Sequence, residues 1–179
     1  TDADDNVAMG YNALGANTVG SRSVSIGAGS LENQNPATAA NMYNVAVGYN
    51  SGNAVSTGIR NNFFGAESGE ALTTGDDNIA IGYQTLTSET AGNRSVAIGN
   101  NALDAQNSTT DTNMYNVAVG YAAGGAITTG ALNTLIGGLA GDALTTGNSN
   151  VVAGYSALGS DTLGDRAVAI GYEALATQN

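Results

Sequence analysis

The sequence predicts an all-β solenoid of ten stacked coils. Three observations carry that expectation: a repeat running the length of the chain, a composition too poor in large side chains for an ordinary core, and β-branched residues recurring beside glycine. The 179 residues include 26 Gly, one Pro and no Trp, and aromatic residues make up only 6%. A core built from small residues has to be thin and regular, and the even spacing of Val and Ile argues against disorder.

The repeat comes first. Aligned on the Gly that ends each short apolar run, the chain reads Gly10, Gly27, Gly48, Gly65, Gly82, Gly99, Gly120, Gly137, Gly154 and Gly171, with spacings of 17, 21, 17, 17, 17, 21, 17, 17 and 17. One repeat domain over residues 1–179 is expected, a fragment of a longer fibre, with a superrepeat of four coils every 72 residues. NMYNVAVGY therefore occurs twice, at 41–49 and 113–121, as the coil that carries four extra residues. Each unit reads as a turn, a short strand, the marker Gly and a second short strand. Gly20, Gly58, Gly75, Gly92, Gly130, Gly147 and Gly164 stand seven residues before the marker, with Asn41 and Asn113 in the inserted coils. Both residue types tolerate positive φ, so this column is read as a tight corner. A unit of this size cannot hide its own apolar side chains and must stack on its neighbours. At about 4.8 Å per strand, ten coils make a rod about 45 Å long.

The strand columns come next. Three residues before the marker stand Val7, Val24, Val45, Asn62, Ile79, Val96, Val117, Thr134, Val151 and Val168, and one before it Met9, Ile26, Val47, Phe64, Ile81, Ile98, Val119, Ile136, Ala153 and Ile170. Alternation places both on one face, expected to be the coil interior. Between them lie Ala8, Ser25, Ala46, Phe63, Ala80, Ala97, Ala118, Leu135, Val152 and Ala169, without a charge among them. This second face is expected to point outward and to be covered by a closely approaching copy. Ala8, Ala46, Phe63, Ala80, Ala97, Ala118, Leu135, Val152 and Ala169 are accordingly the candidate subunit interface, with Phe63 and Leu135 as bulkier plugs. In the second segment, six coils place Leu four residues after the marker (Leu14, Leu31, Leu86, Leu103, Leu158, Leu175). The other four place Gly there and an apolar residue three later: Val55, Leu72, Ile127 and Leu144. Such compensation is expected of packing, not of a catalytic site.

Four Arg, no Lys and 15 acidic residues give a net charge of −11, which repels nucleic acid and anionic lipid surfaces. Arg22, Arg60, Arg94 and Arg166 share one column with Asp5 and Asp77, so an inter-coil ion ladder is expected on the surface. Asn at 6, 44, 61, 78, 116, 133 and 150 reads as a stacked amide ladder. No apolar run is long enough to span a membrane, so no membrane insertion is expected of this segment, and any export signal is expected elsewhere in a longer chain. The absence of His and Cys removes the usual general base, nucleophile dyads and transition-metal ligands. No cofactor, metal site or enzymatic activity is expected. Ice binding wants an outward Thr-x-Thr array, whereas Thr73 and Thr74, Thr128 and Thr129, and Thr145 and Thr146 are adjacent.

The strings SVSIG at 23–27, NIAIGYQTL at 78–86, SVAIG at 95–99 and AVAIG at 167–171 resemble the head repeats of trimeric autotransporter adhesins, and the NTAIGYQAL-type repeats of bacterial surface fibres and phage tail fibres. The resemblance implies a left-handed parallel β-roll, a homotrimer, a non-catalytic role, and a place outside the cell on a bacterial surface or in a virion tail fibre. Coils of 17 and 21 residues are longer than those of many such heads, so the outer loops differ. The expected function is attachment, to a host-surface glycan or a matrix protein, with a purely structural spacer as the alternative. An ice-binding solenoid and a polysaccharide hydrolase are more distant readings. Met42, Tyr43, Met114 and Tyr115, brought by the inserted coils, are the candidate ligand-binding residues.

Overall fold

The computed structural model describes residues 3–177. Ten three-residue strands, Val7–Met9, Val24–Ile26, Val45–Val47, Asn62–Phe64, Ile79–Ile81, Val96–Ile98, Val117–Val119, Thr134–Ile136, Val151–Ala153 and Val168–Ile170, form one parallel sheet in chain order. Each strand pairs with the next in the register of the marker Gly, so that Ala8 lies beside Ser25 and Ala97 beside Ala118. The four-residue insertions leave this register untouched, because they loop out before the strand. At the base of each loop a two-residue pairing forms, Gly20–Ser21 with Ala40–Asn41 and Gly92–Asn93 with Thr112–Asn113.

The second segment of each coil is not a strand, as the sequence reading expected, but a run of turns. Its backbone still bonds from coil to coil: Leu31 N–H donates to Ser51 O at 3.0 Å, Asn33 N–H to Asn53 O at 3.1 Å, and Gly52 N–H to Ser68 O at 2.9 Å. The difference lies in the dihedrals. Among the described residues positive φ occurs at 25 non-glycine and 15 glycine positions, four per coil: five before the marker, at the marker, and two and four after it. Alternating left-handed residues break the strand yet keep every second N–H aimed along the stack. A left-handed conformation costs a non-glycine residue about 1 kcal/mol, so this backbone persists only because stacking over-determines it.

The column seven before the marker, expected to be a positive-φ corner, is not one; the corner lies two residues later, at Arg22, Tyr43, Arg60, Asp77, Arg94 and their counterparts. The glycines at the earlier position serve close approach instead. A Cβ on Gly58 would fall 2.5 Å from the carbonyl oxygen of Gly75 in the next coil.

The facing of the strand also differs from expectation. Ala46, Phe63, Ala80, Ala97, Ala118, Leu135, Val152 and Ala169 are buried inside the single chain, and only Ala8, in the first coil, is exposed. The Val and Ile columns point outward. The physical reason is the thinness of the coil: one small strand residue, a small residue three after the marker (Ala102, Ala123, Ala140, Ala157) and one Leu from the return side fill it. Two β-branched columns would not fit. The small size of the Ala column thus measures the width of the interior, not the approach of a partner.

The bulky exceptions prove the same constraint. Phe63 is fully buried, and a Cβ on Gly52 would lie 2.7 Å from its ring, with Gly69 closer still on the other side. Likewise a Cβ on Gly124 would meet Leu135 Cδ1 at 2.6 Å and one on Gly141 would meet Leu135 Cδ2 at 3.0 Å. Each bulky strand residue therefore displaces the Leu of its own coil and of the preceding one. In these coils the apolar residue enters instead at Val55, Leu72, Ile127 or Leu144, all buried. Where Leu is retained, the later position among the described residues, at Asn17, Gln34, Glu89, Gln106 and Asp161, is polar and hydrogen-bonded within the stack. The Glu89 carboxylate accepts from the N–H groups of Thr90, Gly92 and Ser108 and from Gln106 Nε2.

The Asn column forms an internal chain of bonds. Asn61 Nδ2 donates to Gly75 O at 2.7 Å while its Oδ1 accepts from Asn78 N–H at 2.9 Å. Where Ser23 and Ser95 interrupt the column, Gln34 and Gln106 bridge the gap, their Oε1 atoms accepting from Asn44 and Asn116. The coils are bolted together by buried amides rather than by surface charge.

Candidate subunit and adhesive faces

The outward sheet face is apolar on nearly every rung. Its Val and Ile side chains are half-buried in the middle coils, and Ile81, Phe64, Ile136 and Val151 are exposed. The polar members of its two columns are Asn62 and Thr134, 72 residues apart. A continuous apolar face ten strands tall exceeds the scattered exposure normal for a soluble monomer. The Val and Ile columns, like the Ala column between them, carry no charge, so absence of charge does not tell the inner side of this strand from the outer.

A second stripe runs along the left-handed corner, whose backbone turns the side chains to the surface. Arg22 Nε lies 3.6 Å from Asp5, Arg94 Nε 3.7 Å from Asp77, and Arg60 makes two hydrogen bonds to Asp77 and lies 3.7 Å from Asp76. Hydrogen bonding to Arg60 holds the Asp77 carboxyl below the usual range. Arg166 has no ion pair among the described residues. In the inserted coils tyrosine takes the corner position. Arg22 Nη1 donates to the Tyr43 hydroxyl at 3.0 Å with its guanidinium 6.0 Å from the ring centre, and Arg94 repeats this with Tyr115 at 3.1 and 5.7 Å. Tyr43 and Tyr115 are each half exposed.

Met42 and Met114 are not at the surface, contrary to expectation; both are fully buried. They fill the base of the four-residue loop, where a Cβ on Gly20 would lie 3.1 Å from both Met42 Cγ and Pro36 Cδ. An insertion opens a gap under the chain, and a flexible thioether closes it.

A third feature went unread in the sequence. Tyrosine follows the marker Gly in six coils, and these six side chains are among the most exposed of the large residues. The signal was available as a column, one position beyond the strand.

Among the described residues no enclosed cavity and no group of three or more His, Cys, Asp or Glu suited to a metal ion occurs. No helix of the described residues is long and apolar enough to cross a membrane. The molecule offers stripes and faces.

No curated protein and no solved structure matches the chain. The family model of the YadA head domain repeat matches it in two copies, at residues 74–102 and 163–179. Those segments contain NIAIG, SVAIG and AVAIG, the strands and marker glycines of three coils. The chain thus carries repeats similar to the YadA head domain, the head repeat of trimeric autotransporter adhesins.

Proposed function

We propose that this chain is a non-enzymatic segment of a homotrimeric extracellular fibre that mediates attachment, built as a left-handed roll and borne on a bacterial surface or a virion tail fibre. The observation that supports it best is the outward Val and Ile face. Three chains packed around a common axis would each bury this face against the other two, at about 25 cal/mol per Å² of apolar area removed from water. The corner stripe of Arg, Asp and Tyr would then remain outside, available to a host-surface glycan or matrix protein. Tyr43 and Tyr115 are its best anchors, since an aromatic ring beside a guanidinium offers both an apolar face and donors.

A spacer is the second reading, favoured by the unbroken register of the ten-stranded sheet. The experiment that separates the two replaces Tyr43 and Tyr115 with Ala and measures retention on immobilised glycans and matrix proteins alongside mass in solution. Attachment through this stripe predicts reduced retention at unchanged mass, whereas no retention of the unaltered protein supports the spacer.

A further inference from the structure

Tyr11, Tyr49, Tyr83, Tyr121, Tyr155 and Tyr172 all follow a marker Gly. They are exposed from 46% at Tyr83 to 80% at Tyr11. In the intervening coils the same position holds Ala28, Ala66, Asn100 and Gly138. Tyrosine therefore recurs every second coil, about 9.6 Å apart at two strand spacings, until the last two coils, where Tyr155 and Tyr172 are consecutive. Those two rings stack, with centroids 5.8 Å apart and planes within 13°. These two rings, in neighbouring coils, thus lie nearly parallel with their faces looking along the rod. Where a coil without tyrosine separates two that carry one, rings held in the same attitude would leave one layer between them. Between Tyr121 and Tyr155 the floor is bare, since a Cβ on Gly138 would touch only the Tyr155 ring, at 3.5 Å. Between Tyr83 and Tyr121 it carries Asn100, whose Oδ1 accepts from the Tyr83 N–H at 3.0 Å.

We propose that these gaps are slots for neutral pyranose rings, one sugar stacked between two tyrosines, repeated along the rod for a multivalent glycan. This rests on the attachment reading and names its ligand class. A sugar ring has apolar C–H faces for stacking and equatorial hydroxyls for hydrogen bonding. The residues next to the tyrosines are Asn12, Asn50, Gln84 and Ser156; the first three amides donate to the carboxylates of Glu32, Glu70 and Glu67, so amide–carboxylate pairs stand near the tyrosines as partners for sugar hydroxyls. The net charge of −11 opposes acidic sugars. Single slots bind weakly, and several engaged by one branched or repeating glycan raise retention by two orders of magnitude or more, roughly as linked sites do.

The test uses an array of neutral and acidic oligosaccharides with three proteins. One is unaltered, one carries Tyr49→Ala, Tyr83→Ala and Tyr121→Ala to remove the walls, and one carries Ala66→Tyr and Gly138→Tyr to fill two slots as Tyr155 and Tyr172 fill each other. Neutral glycans should bind the unaltered protein and bind both variants at least tenfold more weakly, at unchanged mass in solution. Preference for acidic sugars, or equal binding by the slot-filled protein, overturns the proposal. A change of mass in the wall-less variant also overturns it, because the tyrosines would then belong to the subunit contact. Matrix-protein retention that depends on Tyr43 and Tyr115 but not on the slots would sink this proposal and leave attachment standing. Failure to retain any glycan or matrix protein would sink both.

Discussion

Phe63→Ala is the sharpest probe of how this core is built. The ring occupies the space that Leu fills in other coils, bounded by Gly52 on one side and Gly69 on the other, and it is fully buried. Removing a buried phenylalanine side chain costs about 3–5 kcal/mol, and the rigid stack gives the cavity little room to collapse. Gly69→Leu alone should also destabilise, by about 1–3 kcal/mol for overpacking plus about 1 kcal/mol for a side chain at φ +59°. The two together should cost less than their sum, because the introduced leucine then enters a vacated site of the kind that Leu86 occupies beside Ala80. A coupling of about 1–3 kcal/mol in that direction is expected, read from denaturant unfolding midpoints and slopes. Additive costs, or a Phe63→Ala loss under about 1 kcal/mol, would refute the claim that this column faces inward.

Three further outcomes follow from the geometry. Gly137→Ala places a Cβ 2.5 Å from Gly154 O at φ +133°, so it should cost at least about 2 kcal/mol in thermal or denaturant unfolding, while Gly138→Ala should be near neutral. Asn61→Ala strands the buried Gly75 carbonyl and Asn78 N–H; a loss of about 2–4 kcal/mol is expected, against less than about 1 kcal/mol for Arg60→Ala on the surface. Asp77 has a lowered folded pKa through Arg60. Its contribution is present above the unfolded value of about 3.9 and is lost as pH falls through the folded one. Stability measured from pH 5 to pH 2 should therefore drop by up to about 1 kcal/mol more in the unaltered protein than in Asp77→Asn.

The period, the coil boundaries and the strand register were legible because a stack repeats its geometry, so every constraint is written ten times. The direction of the strand was not. Alternation shows that Ala97 and Ile98 lie on opposite faces, but which face is inside depends on the width of the coil, set by return-side residues such as Leu103 and Ala102. The covariation of Phe63 with Gly52 and Gly69, and of Leu135 with Gly124 and Gly141, carried that information. A large residue that demands glycine from two neighbouring coils has to point at them. The burial of Met42 was hidden for a different reason, since nothing local marks the gap that an insertion opens beneath itself. The corner position was misplaced because glycine was read as positive φ, where here it answers to the neighbouring carbonyl.

The central claim is that the Val and Ile face is covered by sister chains, and mass in solution tests it most directly. Light scattering or native mass spectrometry should give three times the 17.7 kDa chain mass, and Ile98→Asp, on that face, should reduce it toward one chain. A folded, monodisperse single chain at 17.7 kDa would contradict the account.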